Sequence, residues 1–254
     1  MNARKVKKIL ISQPKPSSDK SPYYDIAEKY HLSLNFYPFI KVERVSSKEF
    51  RQQRINILDF TAIIFTSRTA VDNFFSICED LKLIIPETMK YFCISETVAL
   101  YLQKYIVYRK RKIFFSQTGR VEGLNNPLTK HSKEKFLFPV PEEHKDDISH
   151  FLNEKKLDYT KSVMYRTVSN EFSEDEKLDY DMIIFFSPLG IQSLFKNFPD
   201  FKQGDIAIGC FGSTTAKAVE EAGLRLDCEA PQAEYPSMVA ALDAFLKENH
   251  KHHI

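Results

Sequence analysis

The sequence predicts an α/β protein built from two helix-covered parallel sheets, and three observations carry that prediction. Its 254 residues exceed what one hydrophobic core ordinarily serves, so two domains of about 120 residues each are expected. Short apolar, β-branched runs alternate with longer amphipathic segments over nearly the whole length, the pattern of parallel strands packed under helices. Finally, the segment DFTAIIFTS at 59–67 recurs as DYDMIIFFS at 179–187, which points to an internal duplication.

Strands are expected at 8–13, 34–44, 61–66, 91–95 and 112–116, and again at 135–140, 161–168, 181–187, 205–210 and 225–228. Each copy of the repeated strand ends in a serine and runs directly into an amphipathic helix. That helix carries Val71, Phe74 and Phe75 in one copy and Ile191, Leu194 and Phe195 in the other. Further on, the segment from Ser95 to Leu100 is answered by Ser213 to Ala218, and Phe136 to Pro139 resembles Ile9 to Ser12.

The segments 34–45 and 162–170 differ from the other strands, being long, only partly apolar, and mixed in aromatic and polar residues. Strands of that kind suit connectors rather than fully covered central positions. On this reading 1–36 packs with 168–254 as one discontinuous domain, 42–162 forms the second, and 37–41 and 163–167 are the connecting strands. Two such crossings would form a two-stranded β-ladder hinge and leave a cleft.

Composition narrows the function. Lys and Arg number 36 against 34 Asp and Glu, so no strong net field draws the chain to nucleic acid or to a membrane, and any anion site must be local. The runs YRKRK (108–112) and KHSKEK (130–135) read as solvated turns before strands. The apolar stretch Ile9 to Ile11 is too short for a signal-peptide core, and no run approaches the length of a spanning helix.

The four cysteines, Cys78, Cys93, Cys210 and Cys228, have no metal-type spacing and lie in or beside apolar segments, as buried thiols of a cytoplasmic protein do. The terminal HKHHI, with His250, His252 and His253, reads as a solvated tail. No metalloprotease, nucleophile-elbow or phosphate-loop motif occurs, and Gly119 and Gly123 make no dinucleotide fingerprint.

A set of segments then carries a family likeness over essentially the entire chain: ILISQPK at the start, IIFTSRTAVDNFF (63–75), VMYRTV (163–168), IIFFSPLGIQSLF (183–195), IAIGCFGSTTAKAVEEAG (206–223) and CEAPQAEYPSMVAAL (228–242). In order and spacing they resemble the uroporphyrinogen-III synthase family. Against the family pattern, Gln13 stands where an Arg is common, Arg68 and Thr69 replace a Pro-Arg pair, and Ser95-Glu96 interrupts a glycine-containing turn.

The resemblance implies two flavodoxin-like (Rossmann-like) domains joined by a two-stranded ladder, no cofactor, and a small-molecule substrate, hydroxymethylbilane. That substrate loses its terminal hydroxyl to form an azafulvene and closes, through a spirocyclic pyrrolenine, with its last ring inverted. The expected protein is a cytoplasmic monomer with neither nucleic acid nor membrane as partner. A non-catalytic two-lobed protein that holds a tetrapyrrole or another small anion is the competing reading.

A linear tetrapyrrole carries eight carboxylates, which a nearly neutral chain must grip locally. Helix N-termini do this with unpaired N–H groups and the positive end of the helix dipole, gathered at the carboxyl edges of parallel strands. Thr66, Ser67 and Thr69 stand at one such junction, Ser187 at a second, and Ser213, Thr214 and Thr215 at a third. Ser and Thr are also simply good N-caps, and the two roles are compatible. Among cations, Arg68, Arg166 and Lys217 lie beside these motifs and suit carboxylates, whereas Lys15 reads as a surface charge.

Tyr165 matches the family's tyrosine in the second connector, which implies a proton or hydrogen bond given to the departing hydroxyl; read from the residue alone, it is an aromatic packed at a hinge. A phenol, with an ordinary pKa of about 10, stays protonated at neutral pH. Because the pyrrole nitrogen can expel the hydroxyl unaided, the main contribution expected of the protein is positioning.

Overall fold

The structure, a computed structural model, describes residues 5–173 and 176–251. Along the chain the elements are β1 (Lys8–Ile11), α1 (Pro22–Tyr30), β2 (Ser33–Phe36), β3 (Ile40–Arg44), α2 (Ser47–Gln52), β4 (Ala62–Phe65), α3 (Arg68–Asp80), β5 (Lys90–Cys93), α4 (Glu96–Tyr101) and β6 (Ile113–Phe115). There follow α5 (Asn125–Lys130), β7 (Phe136–Pro141), α6 (Asp147–Glu154), β8 (Tyr159–Ser169), β9 (Met182–Phe185), α7 (Pro188–Asn197), β10 (Ala207–Phe211), α8 (Ser213–Glu221), β11 (Cys228–Ala230) and α9 (Met238–Lys251). The chain divides into one unit of Met1–Lys41 with Val168–Ile254 and a second of Val42–Thr167.

The first unit holds a five-stranded sheet in the order β2-β1-β9-β10-β11, with parallel pairing throughout. Numbered by position within the unit this is 2-1-3-4-5, the flavodoxin-like order. Buried residues alternate across the sheet as the period of two requires. Ile9, Ile11, Met182 and Ile184 pack under α1 and α9, while Leu10, Ile183, Phe185 and Ile208 pack with Ile191, Leu194 and Val219 of α7 and α8. Trimming any one of these to alanine is expected to cost about 2–5 kcal/mol.

The second unit repeats the arrangement with its strands permuted in sequence. Its sheet runs β3-β8-β7-β4-β5-β6, and with β7 and β8 taken as first and second strands the order from β8 to β6 is again 2-1-3-4-5. The repeats seen in the sequence are therefore topological equivalents: β4 with β9, β5 with β10, and β7 with β1. One face buries Ile63, Phe65, Tyr91 and Leu137 with Val71, Phe74 and Val98 of α3 and α4. The other buries Ile64, Phe92, Phe136 and Phe138 with Leu128 of α5 and Leu152 of α6.

Two expectations are corrected. The strand expected over 34–44 is two strands, β2 and β3, in different sheets. They part at Pro38, which has no N–H to give a ladder. The tail reading fails at His250, which belongs to α9, donates a hydrogen bond from Nε2 to the Val6 carbonyl (2.9 Å), and packs edge-on to Tyr30. His252 and His253 lie outside the described residues.

Candidate functional site

In open α/β sheets ligands bind outside the carboxyl ends of the strands, where the strand order reverses. In the first unit that point lies between β1 and β9; in the second, between β7 and β4.

At the switch point of the second unit, β4 is followed by Thr66 and by Ser67, the N-cap of α3. The backbone of Ser67 is extended and its Oγ accepts the Ala70 N–H at 3.0 Å. Tyr165 of β8 brings its hydroxyl to 3.5 Å from the same Oγ. Since β7 lies between β8 and β4, the phenol reaches across the carboxyl end of β7 to do so.

A β-bulge makes this possible. Val140 pairs with Val163 but Pro141 pairs with Tyr165, leaving Met164 as the extra residue. Strict alternation would send Met164 and Tyr165 to opposite faces; with the bulge both are buried in one core cluster. Bulges of this kind re-aim side chains, and Pro141, which lacks an N–H, sits where the ladder is interrupted.

On the side of β8 that faces β3, the stretch beside the bulge is held by residues flanking and within α2. Gln53 closes a two-way bond with the backbone of one residue, its Nε2 donating to the Val163 carbonyl (2.7 Å) and its Oε1 accepting the Val163 N–H (2.9 Å). Val45 N–H bonds the Met164 carbonyl at 3.0 Å. Arg166, a candidate for a substrate carboxylate, is engaged by Glu49 and lies 3.9 Å from Glu142. The Arg166 guanidinium and the backbone and hydroxyl of Ser46 hold the Glu49 carboxyl down to about 2.

The ring of Tyr165 is thus packed inside the second unit, 8% exposed, and its hydroxyl is the part that meets the helix terminus. The guanidinium of Arg68, exposed at the first position of α3, lies 5.4 Å from the ring of Tyr101. Tyr101 and Tyr105 both donate to Asp72, and Lys104 pairs with it at 2.9 Å. Burial opposes ionisation of Asp72, but these donors outweigh it and hold the carboxyl below its ordinary range. Thr69, one position past Arg68, gives its carbonyl to Asn73.

At the switch point of the first unit, Ser187 caps α7, accepting the Gly190 N–H at 3.2 Å. A cavity of about 240 Å³ opens beside it, lined by Ser12, Gln13, Pro38, Phe39, Ser187 and Gly190 among others. A Cβ on Gly190 would lie 3.3 Å from the Phe185 ring and 3.7 Å from Ser187 Oγ, so the glycine lets the helix start close to the strand.

The third junction is built differently. Gly212 is the N-cap of α8, with φ of 94°, in the left-handed region that glycine enters freely. Ser213 and Thr214 are exposed, whereas Thr215 is 1% exposed and its N–H bonds the Gly212 carbonyl at 3.0 Å. Lys217 is exposed and pairs with Glu221 at 3.6 Å, an arrangement that contributes little to stability.

Sequence reasoning placed the capping serines and Tyr165 but missed the bulge at Met164, the Gln53 clamp and the cavity lining from Ser12 and Phe39. Pro141 in FPVP was the one available signal for the bulge.

Two flavodoxin-like sheets, the second permuted in sequence relative to the first, each with a serine-capped helix at its switch point, define a two-unit α/β protein. The chain belongs to the uroporphyrinogen-III synthase family: the family model described as uroporphyrinogen-III synthase HemD matches residues 25–240. It is similar to the uroporphyrinogen-III synthase of Schizosaccharomyces pombe (strain 972 / ATCC 24843), 26% identical over 96% of this chain and 99% of that protein. It shares its fold with the uroporphyrinogen-III synthetase of Helicobacter pylori 26695, with a TM-score of 0.56 and 18% identity over 95% of this chain and 99% of the other.

Proposed function

We propose that this chain converts hydroxymethylbilane to uroporphyrinogen III, closing the macrocycle with its last pyrrole inverted and releasing water. The observation that carries the reading is the convergence, at the second unit's switch point, of a phenol hydroxyl and a capped helix N-terminus, Tyr165 with Ser67 at 3.5 Å, in a chain of this family. Membership supports the reaction; the helix termini supply what a polycarboxylate requires.

In the proposed sequence the hydroxymethyl group sits on the first pyrrole, at the opposite end of the chain from the ring to be inverted. The nitrogen lone pair of that first pyrrole pushes out the hydroxyl as Tyr165 gives it a proton, so that it leaves as water and an azafulvene remains on the first ring. The azafulvene carbon bonds to the substituted position of the last ring, giving the spirocyclic pyrrolenine. That intermediate fragments and re-closes at the ring's other α-position. The proton lost when the ring regains aromaticity restores the phenol, directly or through solvent. No oxidation or reduction occurs, so the balance calls for no redox cofactor.

The first turns of α3, α7 and α8 bind the substrate's carboxylates through backbone N–H groups, helped by the hydroxyls of Ser213 and Thr214 and by Arg68. The hydroxyls of Ser67 and Ser187 remain with their caps. Arg166 acts through Glu49 to hold β8, and Lys217 meets solvent or an outlying carboxylate. We take the protein to act as a cytoplasmic monomer; among the described residues no helix is long and apolar enough to cross a membrane.

The test is to mix the purified chain with freshly prepared hydroxymethylbilane, oxidise the products and separate the isomers. Formation of the type III isomer supports the reading. A mixture identical to the spontaneous type I product overturns it in favour of a non-catalytic binding protein.

A further inference from the structure

Far from the carboxyl ends of the strands, the second unit carries an unusual combination of exposed aliphatic tips and consecutive cations. Ile84 is 87% exposed and Val107 77%, the two most exposed large apolar side chains among the described residues. They lie on the loops leading into β5 and β6, both at the amino edge of the sheet. The loops meet there: Arg109 pairs with Glu87 at 3.0 Å, and residues of both line an apolar cavity of about 200 Å³ with Ile85, Met89, Ile106 and Val107 in its wall.

The cations follow directly. Arg109, Lys110, Arg111 and Lys112 are consecutive, with Lys110 and Arg111 exposed, and Lys82 is exposed on the neighbouring loop. The near-neutral chain thus places a local positive patch around two aliphatic tips. Such a patch fits a surface that is anionic outside and apolar just beneath. A nucleic acid would use the cations but not the aliphatic tips, and a second copy of the same face would meet like charge.

We propose that this edge seats on an anionic lipid bilayer, with Ile84 and Val107 entering among the headgroups and the cations of 109–112 meeting lipid phosphates and carboxylates. The attachment is peripheral, of the kind made by shallow apolar burial together with electrostatic attraction. It leaves the carboxyl edge of the same sheet, with Ser67 and Tyr165, open to substrate. It also revises the expectations that YRKRK is only a solvated turn and that a membrane is no partner, since the exposure of Ile84 and Val107 cannot be read from the sequence.

The experiment is vesicle flotation of the full chain with phosphatidylcholine alone and with phosphatidylcholine–phosphatidylserine mixtures, at low and at raised salt. The expected result is partition more than about 25-fold greater on the anionic than on the neutral vesicles and weakened by salt. The pair Lys110→Glu with Arg111→Glu should lower it at least about 25-fold, at about fivefold per lost cation. Ile84→Ser with Val107→Ser should lower it severalfold at unchanged charge, and both pairs should keep wild-type unfolding and cyclising activity. No binding to any vesicle overturns the proposal, as does equal binding to neutral and anionic vesicles, or full binding by the charge-reversed pair. A wild-type dimer dispersed by these substitutions would assign the face to self-association and overturn it as well.

Discussion

Ser67 Oγ stands 3.5 Å from the Tyr165 hydroxyl while it accepts the Ala70 N–H at 3.0 Å, so one side chain joins a helix terminus to a phenol. The relationship separates two roles. Tyr165→Phe keeps the packed ring and removes only the proton source; because the hydroxyl can also leave unaided, the rate should fall about 10- to 100-fold, at or below the low end for general acids. The isomer formed should remain type III, which single-turnover mixing with product separation will read.

Ser67→Ala should act mainly on folding. The lost cap is expected to cost about 1 kcal/mol, measured as a shift in urea midpoint, with a smaller loss of rate than Tyr165→Phe gives.

Gln53→Ala leaves the Val163 N–H and carbonyl without their side-chain partner, two residues before Tyr165. We expect about 1–3 kcal/mol of destabilisation from the unpaired, half-buried peptide groups, together with a lowered kcat. If stability falls and kcat at saturating substrate does not, the clamp is purely structural.

The Glu49–Arg166 pair sets a pH dependence of known sign. The folded carboxyl titrates at about 2 against an ordinary 4.5. A depressed acid stabilises the fold above its unfolded pKa and loses that contribution as pH falls toward the folded one. The Tm difference between wild type and Glu49→Gln should therefore be largest near neutrality and shrink between about pH 4.5 and 2. A difference that stays constant across that window would contradict the assignment.

Cys78, Cys93, Cys210 and Cys228 are buried and free, and burial pushes each thiol up to about 12. The native protein should resist alkylation at pH 8 because almost no thiolate is present. All four should react once the chain is unfolded in denaturant.

What was legible in the sequence follows from what each feature depends on. The strands around Ile63–Phe65 and Ile183–Phe185 are covered on both faces, so they read as continuous apolar runs and their duplication stood out. Ser67 and Ser187 were legible as caps because capping is local. The bulge was not, since Met164 and Tyr165 are consecutive and a strand is assumed to alternate. Gln53 was invisible because its partner lies 110 residues away. The division of 34–44 into two strands turned on Pro38 and on the complete burial of Phe39, a tertiary fact. Thr215 looked equivalent to Ser213 in sequence, yet its position on α8 turns it inward.

The central claim, that a helix terminus at each switch point binds substrate carboxylates, is tested most directly by the isomer ratio from one double variant, Thr69→Pro with Leu189→Pro, both at the second position of their helices. Each proline removes an N–H from the first turn of α3 or α7 while remaining tolerable near a helix start. With folding verified by circular dichroism, the account predicts type III from wild type and a clear shift toward type I from the variant. A variant that matches wild type in both rate and isomer ratio would contradict it.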